Sequence, residues 1–325
     1  MRGSIREYVS DRKEPMMDTD FQIVGIRNTE DRTVGRHTKW YQGKPLISAL
    51  LLAVILSGCL CCHLIMTKDP GYMDLAHYNE APGGEFLFGT DTMGRDIFSM
   101  IWYGGRISLL IGVLATFLST VLAIVFGSVS GCAPEWVDSL LMRFTEIFLS
   151  IPNLLLVILL QAILGKASIF SISFIIGITS WPGIAKVVRT EVKQIRNSGY
   201  VIAARCMGGS FRHVLWKHLT PNFASSIMFM VVMNIRSAII AESTLSFMGI
   251  GLPLEQISWG SMLSNADKAL MTKSWWIILI PGLFLTVTLM CMTNLGNYLR
   301  KAVNRKESYC NCVSAYMTLQ LTRQL

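Results

Sequence analysis

The sequence predicts an all-α, polytopic membrane protein with six transmembrane helices. Three observations predict it. Of 325 residues, 52% are hydrophobic and only 15% charged, whereas soluble domains carry about 25% charged residues. The apolar residues gather in runs that approach the ~20 residues a helix needs to cross the hydrocarbon core. Lys and Arg are dense in alternate inter-run segments and sparse in those between. Backbone groups in lipid must find partners within their own segment, so such runs become helices.

The elements follow in order. Residues 1–45 are polar and mixed in charge, without sustained apolar periodicity, and read as an N-terminal tail. Pro45 opens the first run, since proline is tolerated at a helix start. That run, Leu46–Met66, is read as a retained span: it lies far from the N-terminus and no small-residue cleavage site follows it. Residues 67–105 form an external loop with PGYMD and APGGE turn signals. A core of residues 106–300 holds the other five runs, Ile107–Gly131, Leu140–Leu164, Ile169–Val188, Phe223–Phe247 and Trp275–Leu299. Residues 301–325 form a second tail, and no internal repeat of solenoid or propeller length is present.

Charge gives these spans a direction. Nine Lys/Arg precede Leu46, seven lie between Lys186 and Lys217 against the single acid Glu191, and five follow Asn297 against Glu307. The loop 67–105 has only Lys68 and Arg95 against six acids. With six spans, all the rich segments fall on one side. The positive-inside rule makes that side the cytoplasm and places both termini there. The net charge of +8 therefore reads as topology, and no nucleic-acid partner is implied. The eight cysteines form no framework. Cys59, Cys61 and Cys62 near the first span act as small apolar residues, and Cys310 and Cys312 lack a second ligand pair for a metal.

Within the spans the small and polar residues carry information. Ser119, Ala123, Gly127 and Gly131 recur at four-residue steps and let another helix approach closely, either inside this chain or in a second subunit. Arg143 and Glu146 share a helix face and can pair. Arg236 lies mid-span in the fifth run. Glu242 is six residues on, about 240° around the helix, so each needs its own partner or water. Both are candidate pathway residues. The most distinctive stretch is Gly199–Asn222, a basic, helix-forming segment between two apolar runs. It reads as a polar helical hairpin that docks a partner on the cytoplasmic face.

Three segments together resemble one family, the inner-membrane permease subunits of ATP-binding-cassette importers in the dipeptide/oligopeptide/nickel group, nearest to the oligopeptide/dipeptide permease C type. The first is Phe88–Gly112, where Gly89, Thr90, Asp91, Gly94, Arg95, Asp96, Ser99, Gly104, Arg106, Ser108, Leu109 and Gly112 match the family's pattern and Met100 replaces a frequent arginine. Its Gly–Asp–Gly–Arg–Asp density suggests a tightly hydrogen-bonded turn. The second is the hairpin, where Ala203, Ala204, Gly208 and Pro221 fall in the register of the family's ATPase-coupling motif. Ile202 stands in place of the usual glutamate, and His218 holds a position usually taken by isoleucine. The third is Ala241–Ala266, where Glu242, Ser243, Leu245, Ser246, Phe247, Gly249, Gly251, Ser258, Trp259, Gly260, Met262 and Leu263 match. Trp259 is expected at a membrane interface.

The resemblance covers about Leu46 to Arg300, and the first 45 residues and the long tail have no clear counterpart in it. It implies a type I importer permease fold with coupling helices at 199–220. It also implies a second permease that completes a heterodimeric pathway, two ATPase subunits, and an external peptide-binding protein. The chain lacks a GxxxxGK[ST] phosphate loop, so it is expected to be no enzyme and to hold no cofactor, with ATP bound by the partner subunits. The substrate is expected to be a di- or oligopeptide. The alternatives are nickel or another small solute, a stand-alone channel or secondary transporter, and a repurposed subunit.

Overall fold

Asp96 starts the central helix of the molecule. Its carboxylate accepts hydrogen bonds from the backbone N–H groups of Phe98 and Ser99, which satisfies donors that a helix start leaves free. The helix runs Ile97–Cys132, ten residues earlier than the apolar run predicts, so the non-helical segment before it ends at Asp96. The computed structural model describes residues 45–197, 220–253 and 255–322. In chain order the helices are α1 Leu46–Leu60, α2 Cys62–Ile65, α3 Ile97–Cys132, α4 Glu135–Ser150, α5 Asn153–Leu164, α6 Ile169–Arg196, α7 Thr220–Phe247, α8 Trp259–Leu263, α9 Ala266–Met271 and α10 Trp276–Thr322. A single turn of 3₁₀ helix, Leu75–His77, lies in the segment before α3. All ten belong to one packed unit, Lys44–Leu325.

Each of the six apolar runs is helical, but two are not the single rods predicted. The third is two helices, α4 and α5, bent by 87° at a short break. Pro152 causes it: Ile151 is driven to φ −91°, ψ 129°, because a residue before proline is barred from the helical region, and Pro152 has no N–H to give the turn before it. The first run is broken at Cys61, leaving α1 with 15 residues and a span shorter than the hydrocarbon core. Among the described residues, four helices are long and apolar enough to cross a membrane, or five if the bent α4–α5 pair counts as one.

Glycines bring α3 and α6 into close contact. A Cβ added at Gly127 of α3 would lie 2.7 Å from the Ala185 carbonyl oxygen and the Val188 Cβ of α6, and one at Gly131 would lie 2.8 Å from the Val192 Cβ. On α6, a Cβ at Gly177 would lie 3.0 Å from the Ala115 carbonyl of α3. Ser119 and Ala123, on the same α3 face, are fully buried. The small-residue face is thus filled from within this chain, which decides between the two readings of it. Pro182 sits inside α6, beside Trp181, whose ring packs on Phe126, Phe144 and Phe148 at centroid distances of 4.5, 6.4 and 5.9 Å.

Gly127→Leu should force α3 and α6 apart and cost about 1–3 kcal/mol as an overpacked core. It should lower the melting temperature of the detergent-solubilised chain. Gly183→Ala, on the open side of α6 where nothing lies within 4 Å, should leave it unchanged.

Candidate functional site

The signature segment before α3 folds into a knot. Asp91 Oδ1 accepts the backbone N–H groups of Met93 and Arg95, and its Oδ2 takes the Arg95 Nε at 2.8 Å and Nη2 at 2.7 Å. Both side chains are buried. Gly89 and Gly94 have φ of 77° and 72°, a left-handed backbone that glycine adopts without steric cost. At Gly94 a Cβ would also strike the Asp74 carbonyl. The Thr90 hydroxyl donates to the His77 carbonyl at 2.5 Å and accepts the Glu80 N–H at 2.8 Å. Trp276, at the start of α10, donates its indole N–H to the Thr90 carbonyl at 3.1 Å. Thr67 donates to Asp96 at 2.9 Å, and Ser99 Oγ accepts the N–H groups of Thr67 and Lys68. The knot therefore joins the segment after α2 to the starts of α3 and α10.

Below it lies a buried carboxyl. Glu242 of α7 is fully enclosed and receives hydroxyl hydrogen bonds from Ser258 at 2.6 Å, Ser246 at 2.9 Å, Ser108 at 3.3 Å and Ser243 at 3.4 Å. Ser258 also caps α8, accepting the Ser261 N–H. Trp259 follows it. Its backbone N–H donates to Ser108 Oγ at 3.2 Å and its indole to the Ile101 carbonyl at 3.0 Å. Glycines make the room: a Cβ at Gly105 would lie 2.5 Å from the Trp259 ring and 2.6 Å from Cys59 Sγ, and one at Gly260 would lie 2.6 Å from Ser243 Cα. Trp259 is thus a completely buried wedge whose one polar side-chain atom finds a carbonyl inside the bundle. Glu242 faces these serines and no open groove.

At the opposite end of α3 and α6 is a charge cluster that the residue pattern alone did not single out. Asp138 of α4 accepts the Ser130 hydroxyl at 2.5 Å, Arg189 Nε and Nη2 at 2.5 and 2.6 Å, and Lys193 Nζ at 2.5 Å. The Arg189 fork is bidentate, the arrangement that gives a guanidinium–carboxylate pair its direction as well as its strength. Arg196 Nη1 donates to the Cys132 carbonyl at 3.1 Å. The last two turns of α6 are therefore tied to the α3–α4 connection just before residue 198. The spacing of Arg189 and Lys193, one turn apart on one face, was the signal available. Arg143 and Glu146 form the predicted local pair, at 3.5 Å.

Arg236 stands apart from Glu242, as the angular spacing requires. It is half-buried, and its Nε is shielded without a hydrogen-bond partner. It borders a groove of ≈ 320 Å³ lined also by Ile240, Thr286, Leu289, Met290, Thr293 and Asn294. Of the hairpin, Ile202, Ala203, Ala204, Gly208 and His218 lie outside the described residues, as do residues 199–219 of the coupling helices predicted at 199–220. Pro221 is the second residue of α7.

Four or five apolar spans around a buried polar node define a multi-pass helical membrane protein. Residues 123–306 match the family described as binding-protein-dependent transport system inner membrane component, and the chain belongs to that family. It is 35% identical over 264 residues to the dipeptide transport system permease protein DppC of Bacillus subtilis, covering 81% of each chain. It is 33% identical over 261 residues to the oligopeptide transport system permease protein OppC of the same organism, covering 80% of this chain and 85% of the relative. With the oligopeptide transport system permease protein OppC of Haemophilus influenzae the identity is 37% over 310 residues, 93% of this chain and 94% of the relative. That match is too long to stop at Leu46, so part of the first 45 residues does have a counterpart, which corrects the narrower resemblance.

Glu242→Ala should leave buried hydroxyls unpaired, at about 1–3 kcal/mol for each one that finds no new partner. Heated membranes should then yield little monodisperse protein, with Glu242→Gln intermediate. Asp138→Ala should free the end of α6: amide exchange over residues 189–196 should quicken at least about tenfold, equivalent to about 1.4 kcal/mol of local stability, while residues 170–180 keep the wild-type rate.

Proposed function

We propose that this chain is a membrane-spanning permease subunit of an ATP-driven importer of di- or oligopeptides. The observation that carries the reading is the full-length similarity to an oligopeptide transport system permease protein, 93% of this chain against 94% of that one. The helical frame supports it, with two long helices, α6 and α7, on either side of residues 198–219 in the chain order. The relatives' names favour peptides over nickel. The same full-length match argues against a stand-alone channel, because the relatives are named as permease proteins of transport systems.

In this reading the six apolar helical segments all act as spans, with α4–α5 as an elbowed third. The basic segments put both termini and residues 198–219 in the cytoplasm of a cell with the chain in its inner membrane. A second permease completes the pathway as a heterodimer, two ATPase subunits bind and hydrolyse ATP, and an external binding protein delivers peptide. The chain itself supplies no catalytic group and holds no cofactor. Ile202, Ala203, Ala204, Gly208, His218 and Pro221 form the ATPase-coupling segment. ATPase closure presses on it and rocks the helices between outward and inward openings. The Asp138 clamp, next to this segment along α6, carries that push into α3 and α4.

Gly208→Trp should abolish peptide uptake and reduce co-purification of the ATPase subunits, with membrane insertion intact. Uptake at the wild-type rate would refute the coupling role. The order of magnitude to look for is a loss of at least about tenfold, the rate effect of a 1.4 kcal/mol barrier.

A further inference from the structure

Among the described residues, none supplies Arg236 with a counter-charge. It lies about 24 Å along the axis of α7 from Thr220, near the middle of the helix. Its Nε is shut off from solvent and unpaired, and among the described residues no carboxylate lies within ion-pair distance of it. Glu242, the acid nearest in sequence, is taken up by its serines. A guanidinium at mid-bilayer depth costs at least about 2.5–3.5 kcal/mol unless something polar meets it. Lipid phosphates are about 15 Å away at half the hydrocarbon thickness, so headgroups do not meet it.

The groove beside Arg236 says what does. Opposite it, α10 presents Thr286, Leu289, Met290, Thr293 and Asn294, one helical stripe at steps of three, four and seven. A lipid-facing stripe would be apolar throughout; this one alternates apolar side chains with two hydroxyls and an amide. The Thr293 hydroxyl donates to the Leu289 carbonyl at 2.7 Å and the Asn294 amide nitrogen donates to Ser48 at 3.1 Å. The Thr293 donor and one of the two Asn294 amide donors are thus used, and the Thr293 oxygen and the Asn294 carbonyl remain as acceptors. One forked cation flanked by acceptors complements a carboxylate with an adjacent amide N–H, which is the C-terminal end of a peptide. The space, ≈ 320 Å³, is at the small end of ligand sites.

We propose that Arg236 is a carboxylate-binding point on the transport path, taking the C-terminal carboxylate of the peptide in the groove between α7 and α10. This rests on the peptide-import reading above. The assembled transporter, with its second permease, ATPases and binding protein, is reconstituted in proteoliposomes and given radiolabelled alanine peptides of two to five residues. Arg236→Gln should lower the maximal uptake rate at least tenfold, with ATP hydrolysis and co-purification of the second permease unchanged. Arg236→Lys should recover most of the rate, since a point charge still meets the carboxylate; a merely space-filling role would not separate Lys from Gln. Wild-type uptake by Arg236→Gln, or Lys no better than Gln, overturns the proposal. Loss of the second permease from the Gln variant also overturns it, because the counter-charge would then belong to that subunit. No uptake by the unsubstituted transporter overturns the peptide reading itself, a failure seen before any substitution is made.

Discussion

A carboxyl group enclosed by four hydroxyls holds together the half of this molecule that contains the starts of α3 and α10. Glu242 reaches α3 through Ser108, α8 through Ser258, and its own helix through Ser243 and Ser246. In hydrocarbon an unpaired polar group of this kind costs several kcal/mol, so the three elements are not free to separate one at a time. Trp259 then uses the position this creates. It is wedged against Gly105 and Cys59, which brings α1 into the same contact. The Asp91–Arg95 knot rests on the top of that assembly, tied to α10 by the Trp276 indole. Each of these contacts presupposes the one beneath it.

The other half is held differently. There the helices α3 and α6 touch backbone to backbone at Gly127, Gly131 and Gly177, and dispersion over a close seam replaces hydrogen bonding. Only at the end does charge return, where Asp138 gathers Ser130, Arg189 and Lys193. A polar node at one end, an apolar seam in the middle and an ionic clamp at the other end make a graded structure in which α3 is common to all three levels.

Much of this was legible in the sequence, and the exceptions have physical causes. The apolar runs located every long helix, because lipid leaves a backbone no other choice. The small-residue face and the Arg143–Glu146 pair were readable because both follow from spacing along one helix. The 87° break was signalled by Pro152, but a hydropathy run averages over a single residue and hides it. The serines around Glu242 come from three separate stretches, 108, 242–246 and 258. No local pattern says that they meet; only the family-like order of the segments hinted that they belong together. The burial of Trp259 was hidden for the same reason: its carbonyl partner on Ile101 and the space left by Gly105 lie more than 150 residues back along the chain. Asp138 looked like one acid at the edge of a span, and its three donors lie 8, 51 and 55 residues away.

The proline within α6 sets where that helix is compliant. Pro182 cannot donate to the Ile178 carbonyl four residues back, and a helix missing one rung is softest there. Above that point α6 is pinned to α3 through Gly177; below it, through the glycine seam and the Asp138 clamp. A torque applied at the Arg196 end therefore meets a stiff lower arm, about 21 Å long over fourteen residues, before it reaches the soft rung. The lower arm carries its share of α3 and α4 with it as a lever, and Pro182 is the fulcrum.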